Sequence, residues 1–392
     1  MQKKLIALAI AGIAAAPAFA QSSNVTIYGR AHLGFDNYSA TGATAGSAAD
    51  FKARNRVYDY GSRIGFKGSE DLGNGLKARF QIESGVNMDT GGNTGQSGGV
   101  NSSTGFLGSR QSYVALGGHF GEVRAGRQEV HWTGGRINMI GANELGENPS
   151  IATGGSGMVS GPAHRTSNVL MYVSPNFSGL NAQLGYIANG ELAVAGADVN
   201  GKGYTINVNY NNGPYALKYD YTTITAQNPV LTPATGTPVN SGHKLLLGYF
   251  YQGKSHVGLS LNSNKNENKS AVGTLVVAGD DLKQTSWDIN WEHHFGNFQT
   301  IVDYGEAAGV SGMTGTTAVS NETKYKQFTL AGLYYFSKRT HAYVEYTQAT
   351  NKSQNWSGIG GGGISSAGAL GLPSGSRGAD PRIIGVGLMH NF

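Results

Sequence analysis

Apolar and polar residues alternate in short segments along most of this 392-residue chain. The clearest segment has apolar residues at Tyr204, Ile206, Val208 and Tyr210, separated by polar residues at Thr205, Asn207 and Asn209. Successive side chains of a β-strand point to opposite faces of the sheet. This period of two therefore predicts strands with one apolar and one polar face.

Roughly sixteen such strands are predicted, and their connections alternate between short and long. The short turns contain Asn74-Gly75 and residues 119–121, 175–179, 211–214, 252–254, 295–297 and 337–339. The longer connections are rich in Gly, Ser, Thr and Asn and cover residues 39–53, 85–108, 189–202, 222–242, 263–283, 306–323 and 349–380. Short turns at one end and long loops at the other are typical of outer-membrane β-barrels. We therefore predict an all-β fold, an antiparallel 16-stranded transmembrane barrel.

One further connection, from Trp132 to His164, is unlike the others. About thirty residues run without a sustained period of two, and they include the charged residues Arg136, Glu144 and Glu147. Loops of this length without regular structure are uncommon in compact domains and are usually functional or disordered. We expect this segment to fold inside the barrel.

The N-terminus has the features of a secretory signal. Lys3 and Lys4 precede an apolar run, and Ala18-Phe19-Ala20 matches a cleavage pattern of small residues. We predict a signal peptide at 1–20 and one barrel domain at 21–392. Beyond the signal there is no apolar run long enough for a transmembrane helix, which leaves a soluble exported protein or a membrane β-barrel.

Charge and composition exclude several other functions. Removal of Lys3 and Lys4 from 29 basic residues leaves 27 against 24 acidic residues, a net charge of +3, whereas nucleic-acid binders carry a clustered basic face. The chain has no cysteine, so disulfides and thiolate metal sites are absent. His293 and His294 are adjacent on a predicted strand and point to opposite faces. We expect no metal, no cofactor and no nucleic-acid partner.

Several motifs resemble the general porins of Gram-negative bacteria, most closely those of β-proteobacteria. They are Ser62–Lys77 (SRIGFKGSEDLGNGLK), Gly121–Gln128 (GEVRAGRQ), Tyr172–Leu180 (YVSPNFSGL) and the terminal Phe392. Together with the signal the resemblance covers the whole chain. It implies an outer-membrane homotrimer of sixteen-stranded diffusion pores. The partners would be outer-membrane lipid or lipopolysaccharide, small hydrophilic solutes and anions. The Trp132–His164 segment would be the inward-folded third loop.

The resemblance also implies a pore constriction in which wall arginines face acidic residues of the third loop. It assigns Arg63, Arg110 and Arg165 to the wall, with Arg30 nearby. Alternation supports Arg63 independently, because its neighbours Ile64 and Phe66 are apolar. It does not support Arg110 and Arg165, whose own faces also carry apolar residues. Two further wall candidates, Lys77 and Arg79, follow from alternation alone.

The acidic candidates on the third loop are Glu144 and Glu147. They either line the pore or hold the loop against the wall through charge-assisted hydrogen bonds. Because the wall arginines outnumber the loop carboxylates, we predict a passive channel with mild anion preference. The alternatives are a substrate-specific channel or, less favoured, a barrel enzyme. An enzyme would need a nucleophile, a base and an orienting group at one rim. The sequence offers no such trio, and the G-x-S-x-G match at Gly95–Gly99 lies in a glycine-rich loop.

Overall fold

The computed structural model describes residues 24–89, 107–131, 159, 161–162, 164–189, 201–225, 238–269, 274–355, 359 and 376–392. These residues form seventeen strands and two short 3-10 helices, Ser47–Ala49 and Ser320–Thr323. The strands are β1 (Asn24–Thr41), β2 (Phe51–Asp59), β3 (Arg63–Gly73), β4 (Leu76–Gly85), β5 (Ser112–Gly118), β6 (Gly121–Glu129), β7 (Arg165–Val173), β8 (Leu180–Asn189), β9 (Gly201–Asn212), β10 (Tyr215–Thr225), β11 (Val239–Gln252), β12 (Ser255–Lys269), β13 (Asp280–Phe295), β14 (Phe298–Ala307), β15 (Tyr325–Ser337), β16 (Thr340–Asn351) and β17 (Asp380–Asn391).

No helix within these ranges is long and apolar enough to cross a membrane.

The strands β2 and β3 form one bent strand of the barrel. Both pair with β1, β2 along its second half and β3 along its first half. At the bend, Asp59 Oδ1 accepts hydrogen bonds from the backbone N–H groups of Gly61 and Ser62, each at 2.9 Å. With β2 and β3 counted together, the seventeen segments give sixteen barrel strands. The predicted strand number is confirmed.

The sheet closes through antiparallel pairing of β1 with β17. The register runs from Arg30 opposite Asn391 to Thr41 opposite Asp380. The pairing extends to the last residue, because Gly29 and Phe392 exchange two backbone hydrogen bonds of 3.1 Å. Every other strand pairs antiparallel with its sequence neighbours. The sheet is therefore closed into a barrel, and β2 is the described segment that has a strand partner, β1, on one edge only.

The outer face of the barrel carries large apolar side chains, as the alternation predicts. Exposed examples from four different strands are Phe35, Val114, Leu170 and Val386. Aromatic residues join them on the same face, including Trp287, Tyr304, Tyr249, Phe298 and Tyr334. An apolar outer band with aromatic residues is the pattern of a barrel whose outside faces lipid.

The predicted turns lie where the sequence indicated. At Asn74 and Gly75 the backbone adopts positive φ angles of 52° and 77°. Two successive residues in this region form the two-residue turn whose twist matches that of the flanking strands, which explains the Asn-Gly pair. The short turns all join strands at one end of the barrel.

At the opposite end the strands are longer than the sequence pattern indicates. The connection predicted at 263–283 is shorter in the structure, because β12 continues to Lys269 and β13 begins at Asp280. The added residues are mostly Asn, Lys, Ser and Asp. They extend a sheet with polar residues on both faces, so an alternation of apolar and polar residues cannot reveal them.

An arginine on the outer face is expected to impair folding into a bilayer. Val114 on β5 is 64% exposed and lies beside Phe80 and Ala125 of the neighbouring strands. The Val114→Arg variant should lose about 2–4 kcal/mol of folding free energy if Val114 lies near the bilayer centre. Urea titration of folding into phosphatidylcholine vesicles measures this loss. Gln81→Arg, on the inner face of the adjacent strand, is the matched control and should fold normally. Equal losses in both variants would contradict the assignment of the faces.

Candidate pore-lining site

The inner face of β1 and β3–β6 carries a group of basic side chains, here called the basic wall. Strand register places all but one of its members on the same face. The exception, Arg110, precedes β5. The basic wall comprises Arg30, Arg63, Lys77, Arg79, Arg110 and Arg124. Five of these six residues were predicted from the sequence, and Arg124 was missed.

Arg30 and Arg63 occupy directly opposed positions on β1 and β3. Like charges at opposed positions in a sheet are destabilising. Arg30 also donates from Nε to Asn391 Oδ1 at 3.3 Å, which directs its guanidinium along the β1–β17 seam. A fold retains such a pair only where water, carboxylates or anions offset the repulsion.

The nearest carboxylate is that of Glu83, held in a row formed by Tyr28, Gly65 and Glu83 on three adjacent strands. Tyr28 donates from its hydroxyl to Glu83 Oε2 at 3.1 Å and accepts from Gln81 Nε2 at 2.7 Å. Gly65 makes this possible, because a Cβ at that position would lie 2.3 Å from the Tyr28 ring. Arg63 also interacts electrostatically with the carboxyl group of Glu83.

Arg110 reaches the same carboxylate through a β-bulge. The backbone N–H of Glu83 donates to the carbonyl of Gln111, and the carbonyl of Glu83 accepts from the N–H of Arg110. Arg110 and Gln111 therefore both lie opposite Glu83. A bulge of this kind reverses the inside and outside positions of the strand beyond it. Arg110 therefore shares the inner side with Glu83, although plain alternation places it with the outward Val114. Its Nε donates to Glu83 Oε1 at 2.6 Å, and its side chain is almost fully buried.

Nearer the short-turn end, Glu122 links two further arginines of the basic wall. Arg79 donates from Nη1 to Glu122 Oε2 at 2.8 Å, and Arg124 donates from Nε to Glu122 Oε1. Lys77 lines the same hollow of the inner surface. The Arg79 side chain remains 50% exposed despite its ion pair. Its guanidinium is thus accessible to ions inside the barrel.

Arg165 lies apart from these contacts. It donates from Nη2 to Glu129 Oε1 at 2.7 Å, and Glu129 interacts electrostatically with Lys218 on β10. A register shift between β6 and β7, next to Asn168 with a φ of 60°, interrupts the alternation beyond Arg165. Arg165 thus lies near β10, whereas Arg63 and Arg110 lie beside Glu83 and Arg30 lies opposite Arg63.

The chain turns into the barrel directly after β6. The carbonyl oxygen of Val130 accepts hydrogen bonds from Thr205, Asn207 and Thr222, all on the inner face of β9 and β10. The next residue, His131, forms a buried 2.9 Å hydrogen bond between its Nδ1 and an oxygen of Asp220. Since β7 and β8 separate β6 from β9 in the wall, these contacts require the chain to cross the lumen side.

Val159, near the other end of the same connection, is fully buried. It belongs to an apolar cluster inside the barrel that includes Tyr60, Tyr343 and Ile383. The predicted acidic residues Glu144 and Glu147 lie outside the described residues.

The sequence analysis missed a set of carboxylates on the inner face of β13, β14 and β16. This acidic cluster comprises Asp288, Glu292, Asp303 and Glu345, each at most 7% exposed. The carboxyl group of Asp303 interacts electrostatically with those of the other three. Alternation identifies Asp288 and Glu292 as facing away from Trp287 and Trp291. Their proximity to Asp303 and Glu345 follows only from the strand register.

These features define a class of protein. A closed antiparallel sheet with an apolar, aromatic outer face and a polar, charged inner face is a transmembrane β-barrel, and a sixteen-stranded barrel encloses an aqueous channel.

Comparison with known proteins identifies the family. The sequence model described as Gram-negative porin matches residues 7–354. The major outer membrane protein P.IB of Neisseria lactamica is 30% identical over 360 residues, covering 88% of this chain and 92% of the relative. P.IB of Neisseria gonorrhoeae is 29% identical over 354 residues, with the same coverage. The chain belongs to the Gram-negative porin family. It is an outer-membrane channel for passive diffusion and not an enzyme.

Solved structures share the fold. The anion-selective porin from Comamonas acidovorans superposes with a TM-score of 0.70 at 24% identity, covering 95% of this chain and all of that one. The trimer form of OmpT from Vibrio cholerae has a TM-score of 0.60 at 12% identity, covering 94% and 99%. OmpF of Salmonella typhi, in complex with daunomycin, has a TM-score of 0.57 at 16% identity, covering 94% and 97%.

The carboxylate of Glu83 is expected to be essential for the stability of the basic wall. Glu83→Gln preserves the shape of the side chain but removes the buried ion pair between Glu83 and Arg110. Loss of one partner of a buried ion pair costs about 3–5 kcal/mol. Urea-induced unfolding of the purified protein in detergent measures this cost. Glu70→Gln, at an exposed position on β3, should change stability little. A similarly small effect of Glu83→Gln would show that Arg110 does not depend on Glu83.

Proposed function

We propose that the basic wall gives this porin a mild preference for anions. The proposed constriction lies between the basic wall and the Trp132–His164 loop, and Arg63, Arg30 and Arg110 are its principal positive charges. Lys77 and Arg79 extend the positive surface toward the short-turn end. Arg165 contributes less to this field because it lies apart from the other arginines, beside Glu129 and near β10.

The observation that carries this proposal is the opposition of Arg30 and Arg63. Arg63 and Arg110 both act on one carboxylate, that of Glu83, and Arg30 adds a third positive charge opposite Arg63. Hydrated anions entering this region would relieve the repulsion between the arginines, whereas cations would be repelled. The solvent exposure of the charged side chains also favours anions over cations. Arg79 is half exposed, and the acidic cluster across the barrel is buried.

The proposed loop position rests on the residues at its two ends. Val130 and His131 lie against β9 and β10, and Val159 is buried inside the barrel. A segment that enters and leaves the lumen in this way would narrow the channel. The structural neighbour from Comamonas acidovorans is an anion-selective porin, which agrees with the proposed selectivity.

A homotrimer in outer-membrane lipid is the proposed assembly. The Vibrio cholerae neighbour in trimer form supports it. The apolar outer face, with exposed residues such as Val25, Ile27 and Leu388, can contact either lipid or a second copy. Small hydrophilic solutes and anions are the proposed permeants.

Replacement of Arg63 by serine is expected to shift the selectivity toward cations. The substitution removes one of the two opposed charges and leaves the negative charge of Glu83. Reversal potentials in a tenfold KCl gradient across a planar bilayer measure the shift. Lys326→Ser is the matched control. Lys326 pairs with Glu306 on the outer face, so this substitution removes one positive charge outside the channel. Cation selectivity of the unaltered protein would overturn the proposal. An unchanged reversal potential in Arg63→Ser would remove Arg63 from the constriction.

The two proposed roles of Glu144 and Glu147 give opposite results. If they line the pore, the Glu144→Gln, Glu147→Gln double variant should show stronger anion preference with unchanged stability. If they anchor the loop, the variant should unfold at lower urea concentration and show noisier single-channel currents. Reversal potentials and urea titrations on the same preparation separate the two roles. A variant that matches the original protein in all these measurements would exclude both.

A further inference from the structure

The acidic cluster concentrates negative charge on a wall that solvent barely reaches. Asp288 and Glu292 lie two residues on either side of Asn290 on the inner face of β13. Asp303 of β14 is directly opposite Asn290. Glu345 of β16 interacts electrostatically with Asp303. Three carboxylates thus flank one amide side chain, and that of Glu345 lies within electrostatic range of Asp303.

Two members of this arrangement have unused hydrogen-bonding capacity. Asn290 is fully buried, and neither its Oδ1 nor its Nδ2 has a hydrogen-bond partner in the part of the chain that the structure describes. Within the same part, Asp303 Oδ2 is buried and has no partner. Polar atoms left unsatisfied in a buried place cost free energy, so a native fold supplies them with water or a ligand.

The described positive groups beside the cluster, Lys244 and His256, lie near Asp288 and Glu292 rather than near Asp303. Lys244 on β11 interacts with Asp288 but has Asp220 beside it as well. The imidazole of His256 lies 3.9 Å from Glu292, which also accepts a hydrogen bond from Gln299 at 2.7 Å. Lys244 and Glu292 thus have local partners. The charges that act on Asp303 are those of the other three carboxylates.

We propose that the acidic cluster binds one hard divalent cation, Mg²⁺ or Ca²⁺, next to Asp303 and Asn290. Carboxylate and amide oxygens are the ligands that these ions prefer, and one or two carboxylates with water suffice for Mg²⁺. No three histidine or acidic side chains among the described residues converge closely enough to hold a metal by themselves. The amide oxygen of Asn290 and water therefore complete the coordination, and the remaining carboxylates contribute charge. This site differs from our expectation that the chain binds no metal.

The first experiment measures binding directly. The protein is refolded in detergent without lipopolysaccharide, treated with EDTA, and equilibrated with radioactive Ca²⁺ at constant ionic strength. We expect one saturable ion per chain, displaced by excess MgCl2. The Asp303→Asn and Glu345→Gln variants should each weaken binding at least tenfold. Glu306→Gln, which removes a carboxylate on the outer face, is the matched control and should bind as the original protein does.

The second experiment measures stability in the same samples. MgCl2 or CaCl2 should raise the denaturation temperature of the original protein above its value in KCl of equal ionic strength. Asp303→Asn should raise the temperature measured in EDTA, because it removes repulsion within the cluster, and should abolish the metal-dependent increase. Absence of saturable binding, or binding and stabilisation that persist in both variants, would overturn the proposal. Neither readout depends on ion selectivity, so the result stands apart from the proposed function.

Discussion

Every backbone N–H and C=O group within the lipid must find a partner in the protein, because the hydrocarbon supplies none. Closure of the sheet between β1 and β17 meets this requirement, and the rest of the architecture depends on it. The final pairing of Gly29 with Phe392 brings both chain ends into the ladder. Once the sheet is closed, the period of two assigns each strand residue to lipid or lumen. The apolar outer band and the charged interior are two consequences of one pattern.

Alternation predicted most of the fold and part of the site for this reason. Arg63 follows from it directly, since Phe66 and Ile64 occupy the opposite face. Arg110 does not, because the bulge opposite Glu83 inserts one residue and a shift of one residue reverses the faces. The register shift beside Asn168 likewise interrupts the alternation between Arg165 and the rest of β7. Such irregularities depend on contacts between strands, so the sequence of one strand does not reveal them.

Contacts between residues on different strands could likewise not be predicted from the sequence pattern. Alternation places Asp288 and Glu292 on the face opposite Trp287 and Trp291. Their association with Asp303 requires the register between β13 and β14, which the short turn between Phe295 and Phe298 fixes. The ends of β12 and β13 were missed because polar residues occupy both faces there. Hydrophobic periodicity reports the part of a strand that contacts lipid and loses its signal beyond it.

The interior charges are separated around the barrel, and their accessibility decides what each group can do. The basic wall on β1 and β3–β6 includes exposed guanidinium groups such as that of Arg79, which can act on ions in water. The acidic cluster is buried, so its charge must be offset locally, by a bound cation or by protons. A locally neutralised cluster exerts little field on the channel. The proposed anion preference therefore rests on the solvation of the two walls rather than on a count of acidic and basic residues.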